Sequence, residues 1–210
     1  MNLSTILPET LNGNHDAINE IWELIDEKKK DPKEATTIFE FYNSAENENN
    51  GYALCLLAKC YLKGYGTECD KNKSLQFAKL SMDKGNSYGE NFMGARYADG
   101  TCGEQNFVEA VRHFKMSADK HNVFGLCNLA MSYEVGIGCE RSYTNAYECY
   151  MAAAVIDPKY LADVLSMLSI KSMRNELATK ILSDKKELMY LKTEKIRGLE
   201  TYDASCVIEI

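Results

Sequence analysis

Only three prolines occur in the 210 residues, so little in the chain forbids long helices. Long apolar runs are also missing. The longest, Cys149 to Ile156, has eight residues, where about 20 are needed to cross a bilayer. Residues 1–13 carry no basic stretch followed by an apolar core, so no secretory leader is expected. No membrane insertion is expected either, and the setting expected is cytoplasmic. In such a setting the eight cysteines stay reduced. They show no Cys-x-x-Cys pair, the usual zinc spacing.

A basic stripe is lacking as well. The net charge is −7, and all of it arises in residues 1–50, where eleven acids face four lysines. The remaining residues hold twenty acids and twenty bases, which offers nucleic acid no electrostatic footprint. The most basic stretch, Lys171 to Arg197, has eight bases against four acids and reads as a solvated helix face. The three histidines have no adjacent nucleophile and orienting carboxylate in a recognisable motif. No catalytic residue, metal site or cofactor is therefore expected.

What the chain does have is a period of 36 residues. Tyr61, Tyr97 and Tyr133 stand 36 apart, each followed three residues later by Gly64, Gly100 or Gly136. Gly66 and Gly138 share the next column, where the middle copy has Cys102. Three copies align from 52 to 157 without a gap, and each reads as two helices and a turn. The first helix is expected over 52–63, 88–99 and 124–135, with Ala53, Leu57 and Tyr61 and their equivalents at helical spacing. The glycine just past it suits a left-handed C-cap. Six residues on, Asp70, Asn106 and Ser142 are N-cap types that open the second helix. Asn106 also has Glu109 placed for a capping box. Small residues recur in the second helix at Ser74, Ala110 and Ala146, and at Ser81, Ser117 and Ala153, where a neighbouring helix can come close.

The flanks look like degenerate copies. Asp31-Pro32-Lys33-Glu34 has the form of a capped helix start, and 16–27 is amphipathic with Ile18, Ile21, Trp22 and Ile25 inward. The expected organisation is a tail over 1–14, an acidic capping helix pair over 15–50 and three regular repeats over 51–157. A C-terminal capping pair over 158–200, opened by Pro158, and a tail over 201–210 complete it.

The run Ala53-x3-Leu57-Ala58-x2-Tyr61-x2-Gly64-x-Gly66, with its third copy at Leu129-Ala130-x2-Tyr133-x2-Gly136-x-Gly138, resembles the Sel-one-like repeat, a relative of the tetratricopeptide repeat. The second helix, Ala110-x2-His113-Phe114-x2-Ser117-Ala118, is similar to that family's pattern too. Cys102 and the missing second-helix tryptophan depart from it. The resemblance implies an all-α, right-handed solenoid of about five helix pairs, with first helices lining a concave face. It implies adaptor and scaffold work, and offers no catalytic residues to carry over.

Elimination of the packing columns leaves a set of first-helix positions for that face: Tyr52, Cys55, Lys59 and Lys63, then Tyr88, Asn91 and Asp99, then Phe124, Asn128 and Met131. Asn91 and Asn128 suit hydrogen bonding to an extended peptide backbone. The competing expectation for the aromatic column is packing between neighbouring repeats. The function expected is adaptor binding of a protein or peptide partner on this face. A structural subunit packing laterally in an assembly, and an enzyme, are the alternatives. Partner identity and oligomeric state stay open.

Overall fold

The computed structural model describes residues 2–27, 31–44, 47 and 49–169. Every regular element among them is helical: α1 (Leu3–Leu11), α2 (His15–Glu27), α3 (Pro32–Tyr42), α4 (Gly51–Lys63), α5 (Lys71–Asp83), α6 (Ser87–Ala98), α7 (Phe107–Ala118), α8 (Val123–Val135), α9 (Tyr143–Ile156) and α10 (Leu161–Ser169), with a 3-10 turn at Pro158–Tyr160 before α10. The chain divides into two compact units, Met1–Asn106 and Phe107–Ile210. The basic stretch 171–197, the longer C-terminal helix and the final tail lie outside the described residues.

Each first helix starts on an asparagine. Asn50 accepts from the amides of Tyr52 and Ala53, Asn86 from those of Tyr88 and Gly89, and Asn122 from that of Gly125, at 2.9–3.1 Å. These bonds satisfy amides that a helix start leaves without partners. The second helices α5 and α9 start as expected, with Asp70 capping Lys73 at 3.0 Å and Ser142 capping Asn145 at 3.2 Å. Glu109, placed for a capping box with Asn106, also pairs with Arg112 at 2.8 Å.

The turn between the helices is closed the same way in every copy. The amides of Asp70, Asn106 and Ser142 donate to the carbonyls of Tyr61, Tyr97 and Tyr133, all at 2.9 Å. Gly64 and Gly136 take the left-handed conformation just beyond α4 and α8. Gly66, also at positive φ, lies against the Ala35 carbonyl, and a Cβ there would collide with backbone. The middle copy shifts the device by one residue: Cys102 keeps negative φ and Gly103 takes φ 127.

Packing follows the small columns. A Cβ on Gly89 would meet Ser81 Oγ at 2.5 Å, and one on Gly125 would meet Ser117 Oγ at 2.5 Å, so second helices approach the following first helices closely in both units. Ser81 Oγ donates to the Gly51 carbonyl at 2.7 Å, which keeps this buried hydroxyl satisfied. In the first unit Tyr61 stacks on Phe77 with centroids 5.4 Å apart and meets Phe39 edge-on. In the second, Tyr147, Tyr150 and Met151 pack with Val164, Met167 and Leu168. His113, in the column of Phe77, is buried.

Residues 1–14, expected as a tail, contain α1. Leu7 is buried, and Thr10 Oγ1 donates to the Leu7 carbonyl at 2.7 Å and lies 3.0 Å from the Tyr42 hydroxyl. Asn50 Nδ2 donates to the Leu11 carbonyl at 2.9 Å, so the residue that caps α4 also ties down α1. Leu3, Ile6, Leu7 and Leu11 form the apolar face responsible.

Replacing Gly66 by alanine combines a left-handed residue with a backbone clash and is expected to cost about 3 kcal/mol. Gly85→Ala, at φ +72 but with nothing within 4 Å of the added carbon, is expected to cost about 1 kcal/mol. Urea unfolding of both variants checks the difference; equal losses would remove the close-approach argument.

Candidate functional site

In the first unit α2 packs on the first-helix face, and its residues divide into two stripes. Ala17, Ile18, Ile21 and Ile25 are buried, and the isoleucines alone are worth about 1.5–3 kcal/mol each in apolar burial. The neighbouring stripe, His15, Asn19, Trp22 and Asp26, recurs every third or fourth residue and meets α4 and α6. Trp22 is central to it. Its ring carries Lys59 Nζ 3.8 Å from the centroid and meets Phe92 edge-on at 6.1 Å. One turn on, Asp26 accepts from Lys59 and forms a second ion pair with Lys63 at 3.0 Å. At the other end His15 Nδ1 lies 2.9 Å from the Tyr88 hydroxyl, with Asn19 Nδ2 2.9 Å from His15 Nε2.

This packing corrects part of the expected surface. Cys55 is 1% exposed and Lys59 3%, and Tyr88 and Asn91 are buried too. None of the four is presented to solvent for a guest. Two members of the aromatic column pack between repeats, with Tyr52 and Tyr88 edge to face at 5.8 Å. Asp99 is exposed, but it serves the turn: it pairs with Arg96 at 3.0 Å and accepts from the Thr101 amide at 2.8 Å. Lys63 remains exposed beside Asp26, and Tyr52 is half-buried.

In the second unit the same columns are more open. Met131, equivalent to Lys59, is 56% exposed, and Val135, one turn further on α8, is 60% exposed. Phe124, Cys127 and Asn128 are half-buried. Glu134, on the same helix, accepts from the Tyr150 hydroxyl at 3.1 Å. Burial and that carboxylate hold the phenol well above its ordinary range, so it acts as a fixed donor at neutral pH.

Electrostatics at the α2 contact are asymmetric. Burial lowers the Lys59 ammonium to about 8, outweighing the favourable Asp26 carboxylate. Burial tends to raise Asp26, yet Lys59 and Lys63 hold it below the usual carboxylate value. The thiols of Cys55, Cys60 and Cys127 are pushed up by burial to about 12, which makes them poor nucleophiles. The seven described cysteines are unpaired. Among the described residues no three metal-ligating side chains converge, and no helix is long and apolar enough to cross a membrane.

The Sel1 repeat pattern matches residues 51–86, 87–122 and 123–154. The chain belongs to the Sel1-repeat family. Among solved structures it is similar to a Sel1 repeat protein from Oxalobacter formigenes, at 24% identity and a TM-score of 0.56, over 72% of this chain and 59% of that one. It is also similar to c5321, a protective antigen present in uropathogenic Escherichia coli strains displaying an SLR fold, at 25% identity and a TM-score of 0.54, over 61% of this chain and 28% of that one. The chain therefore spans less than two thirds of either relative. No curated protein matches it. These likenesses establish an all-helical Sel1-repeat fold, in keeping with a solenoid of about five helix pairs. The three matched Sel1 units coincide with helices α4 to α9, and α2 itself lies outside them.

Asp26→Asn leaves the Lys59 ammonium buried without its counter-charge and is expected to cost about 3 kcal/mol. Lys59→Met combined with Asp26→Asn should recover most of that loss, because an apolar side chain of similar size needs no partner. The folded-state value of Lys59 lies below its unfolded value, so the unfolded chain binds more protons between pH 8 and 10.5. The Lys59 contribution to stability should thus rise with pH across that window and vanish in Lys59→Met. Chemical denaturation at pH 7 to 10.5 checks both.

Proposed function

We propose that this Sel1-repeat protein is a scaffold that receives a partner protein or peptide on the first-helix face of its repeats, in a reducing, cytoplasmic setting. Sel1 repeats commonly serve as protein-interaction scaffolds and are typically non-enzymatic. The observation that carries the reading here is the exposed apolar edge of α8. Met131 and Val135 stand in first-helix columns that no core position needs, and the exposure of Met131 far exceeds that of Lys59 in the same repeat column. Exposed apolar side chains beside half-buried Phe124 and Asn128 suit a peptide that brings both apolar groups and backbone amides. Among the expected surface residues, Tyr52 and Lys63 in the first unit and Phe124, Asn128 and Met131 in the second retain access, and the three in the second unit make up the proposed binding set.

A photo-crosslinking amino acid at position 131 is expected to capture a defined partner in the native host. The same group at Lys115, exposed on second helix α7, should not. Equal capture from both positions would contradict a first-helix site. Capture from position 115 alone would favour lateral packing in an assembly.

A further inference from the structure

We propose that the face formed by α4 and α6 is a helix-binding site whose resident occupant is α2, and that it accepts in exchange an amphipathic partner helix bearing an aromatic residue and, four positions later, an acid. The proposal rests on the first-helix face being the binding face, and specifies what it binds in the first unit.

Beside the isoleucine stripe, which belongs to the core, the neighbouring stripe has three features of a recognition contact. The groups that this stripe of α2 presents to α4 and α6 are polar or amphipathic at every turn: His15 on Tyr88 and Trp22 on Phe92 of α6, and Asp26 beside Lys59 and Lys63 of α4. Charge is complementary, since the face supplies Lys59, Lys63 and Arg96 while the helix supplies Asp26, and the acidic balance of the chain is confined to residues 1–50. The lysine that reads Trp22 also reads Asp26, so one side chain recognises both the aromatic and the acid and fixes their spacing at four residues.

The second stripe decides how a guest enters. Ile18, Ile21 and Ile25 are fully buried, so an empty face is scarcely populated and a ligand that engages only the polar stripe cannot displace α2. A guest succeeds by offering both stripes, apolar and aromatic–acid, because exchange then conserves the buried area and the ion pairs. The helix of a partner protein with that double pattern meets the requirement.

The test uses a fluorescent peptide with the sequence of residues 14–27 and two full-length hosts. In the host carrying Trp22→Ala with Asp26→Lys, the new lysine beside Lys59 and Lys63 repels α2 from the face. The peptide is expected to bind that host about a hundredfold more tightly than the native chain, and to lose this advantage when it carries Asp26→Lys itself. Should that host lose its helical circular dichroism, the native chain incubated with excess peptide gives the second readout, a peptide complex on size exclusion with light scattering. Absence of any complex with a folded host, or binding indifferent to the peptide's acid, overturns the proposal. Host dimers without peptide would show instead that α2 exchanges between copies of this chain. Peptide binding with no capture at position 131 would leave this inference standing and remove the α8 site.

Discussion

Close approach of each second helix to the next first helix is the constraint on which the other features rest. It is made possible by a missing Cβ: Gly89 faces Ser81, and Gly125 faces Ser117, with no room for a methyl group between them. Because backbones come this near, large side chains are excluded from that seam. They gather instead in the layer inside each hairpin, where Tyr61 stacks on Phe77 and where Tyr147 and Met151 meet α10. Positions that serve neither seam nor layer are left to the first-helix face. Which residues are free to do something other than hold the fold is therefore set by where the small ones fall.

The two units use that freedom differently. In the first, α2 covers the face, and its tryptophan and aspartate turn a lysine that would be a surface group into a buried one. In the second, the equivalent position is methionine and stays exposed. The difference lies in the chemistry of one column, Lys59 against Met131: an amine can be buried only with a carboxylate to meet it, and α2 supplies one.

Much of this was legible in the residues, because a 36-residue period repeats every constraint three times. The turn glycines, the Asp70 and Ser142 caps and the small columns each serve a backbone or steric need that few residue types meet, and they emerged where the spacing placed them. The asparagine column at 50, 86 and 122 has the same period and was available to sequence reasoning; as N-caps these residues mark the first-helix starts more sharply than the apolar pattern does. Helix α1 is poorly marked in the sequence because it is short and contains Pro8, although Leu3, Ile6, Leu7 and Leu11 carry a helical face. The binding face was the least legible part. Elimination within a repeat finds positions that the repeat itself does not bury, but Cys55, Lys59, Tyr88 and Asn91 are buried in the fold, and no period in the sequence announces that Trp22 and Asp26 will meet Lys59.

Cys55 and Cys127 occupy the same repeat column, and burial lifts both thiols to about 12, so access rather than intrinsic reactivity separates them. Alkylation rates for the two, read by mass spectrometry on the folded native chain, test the division of the face directly. The account predicts that Cys127 is modified well before Cys55. Equal rates, or faster modification of Cys55, would contradict a first-helix face that is covered in the first unit and open in the second.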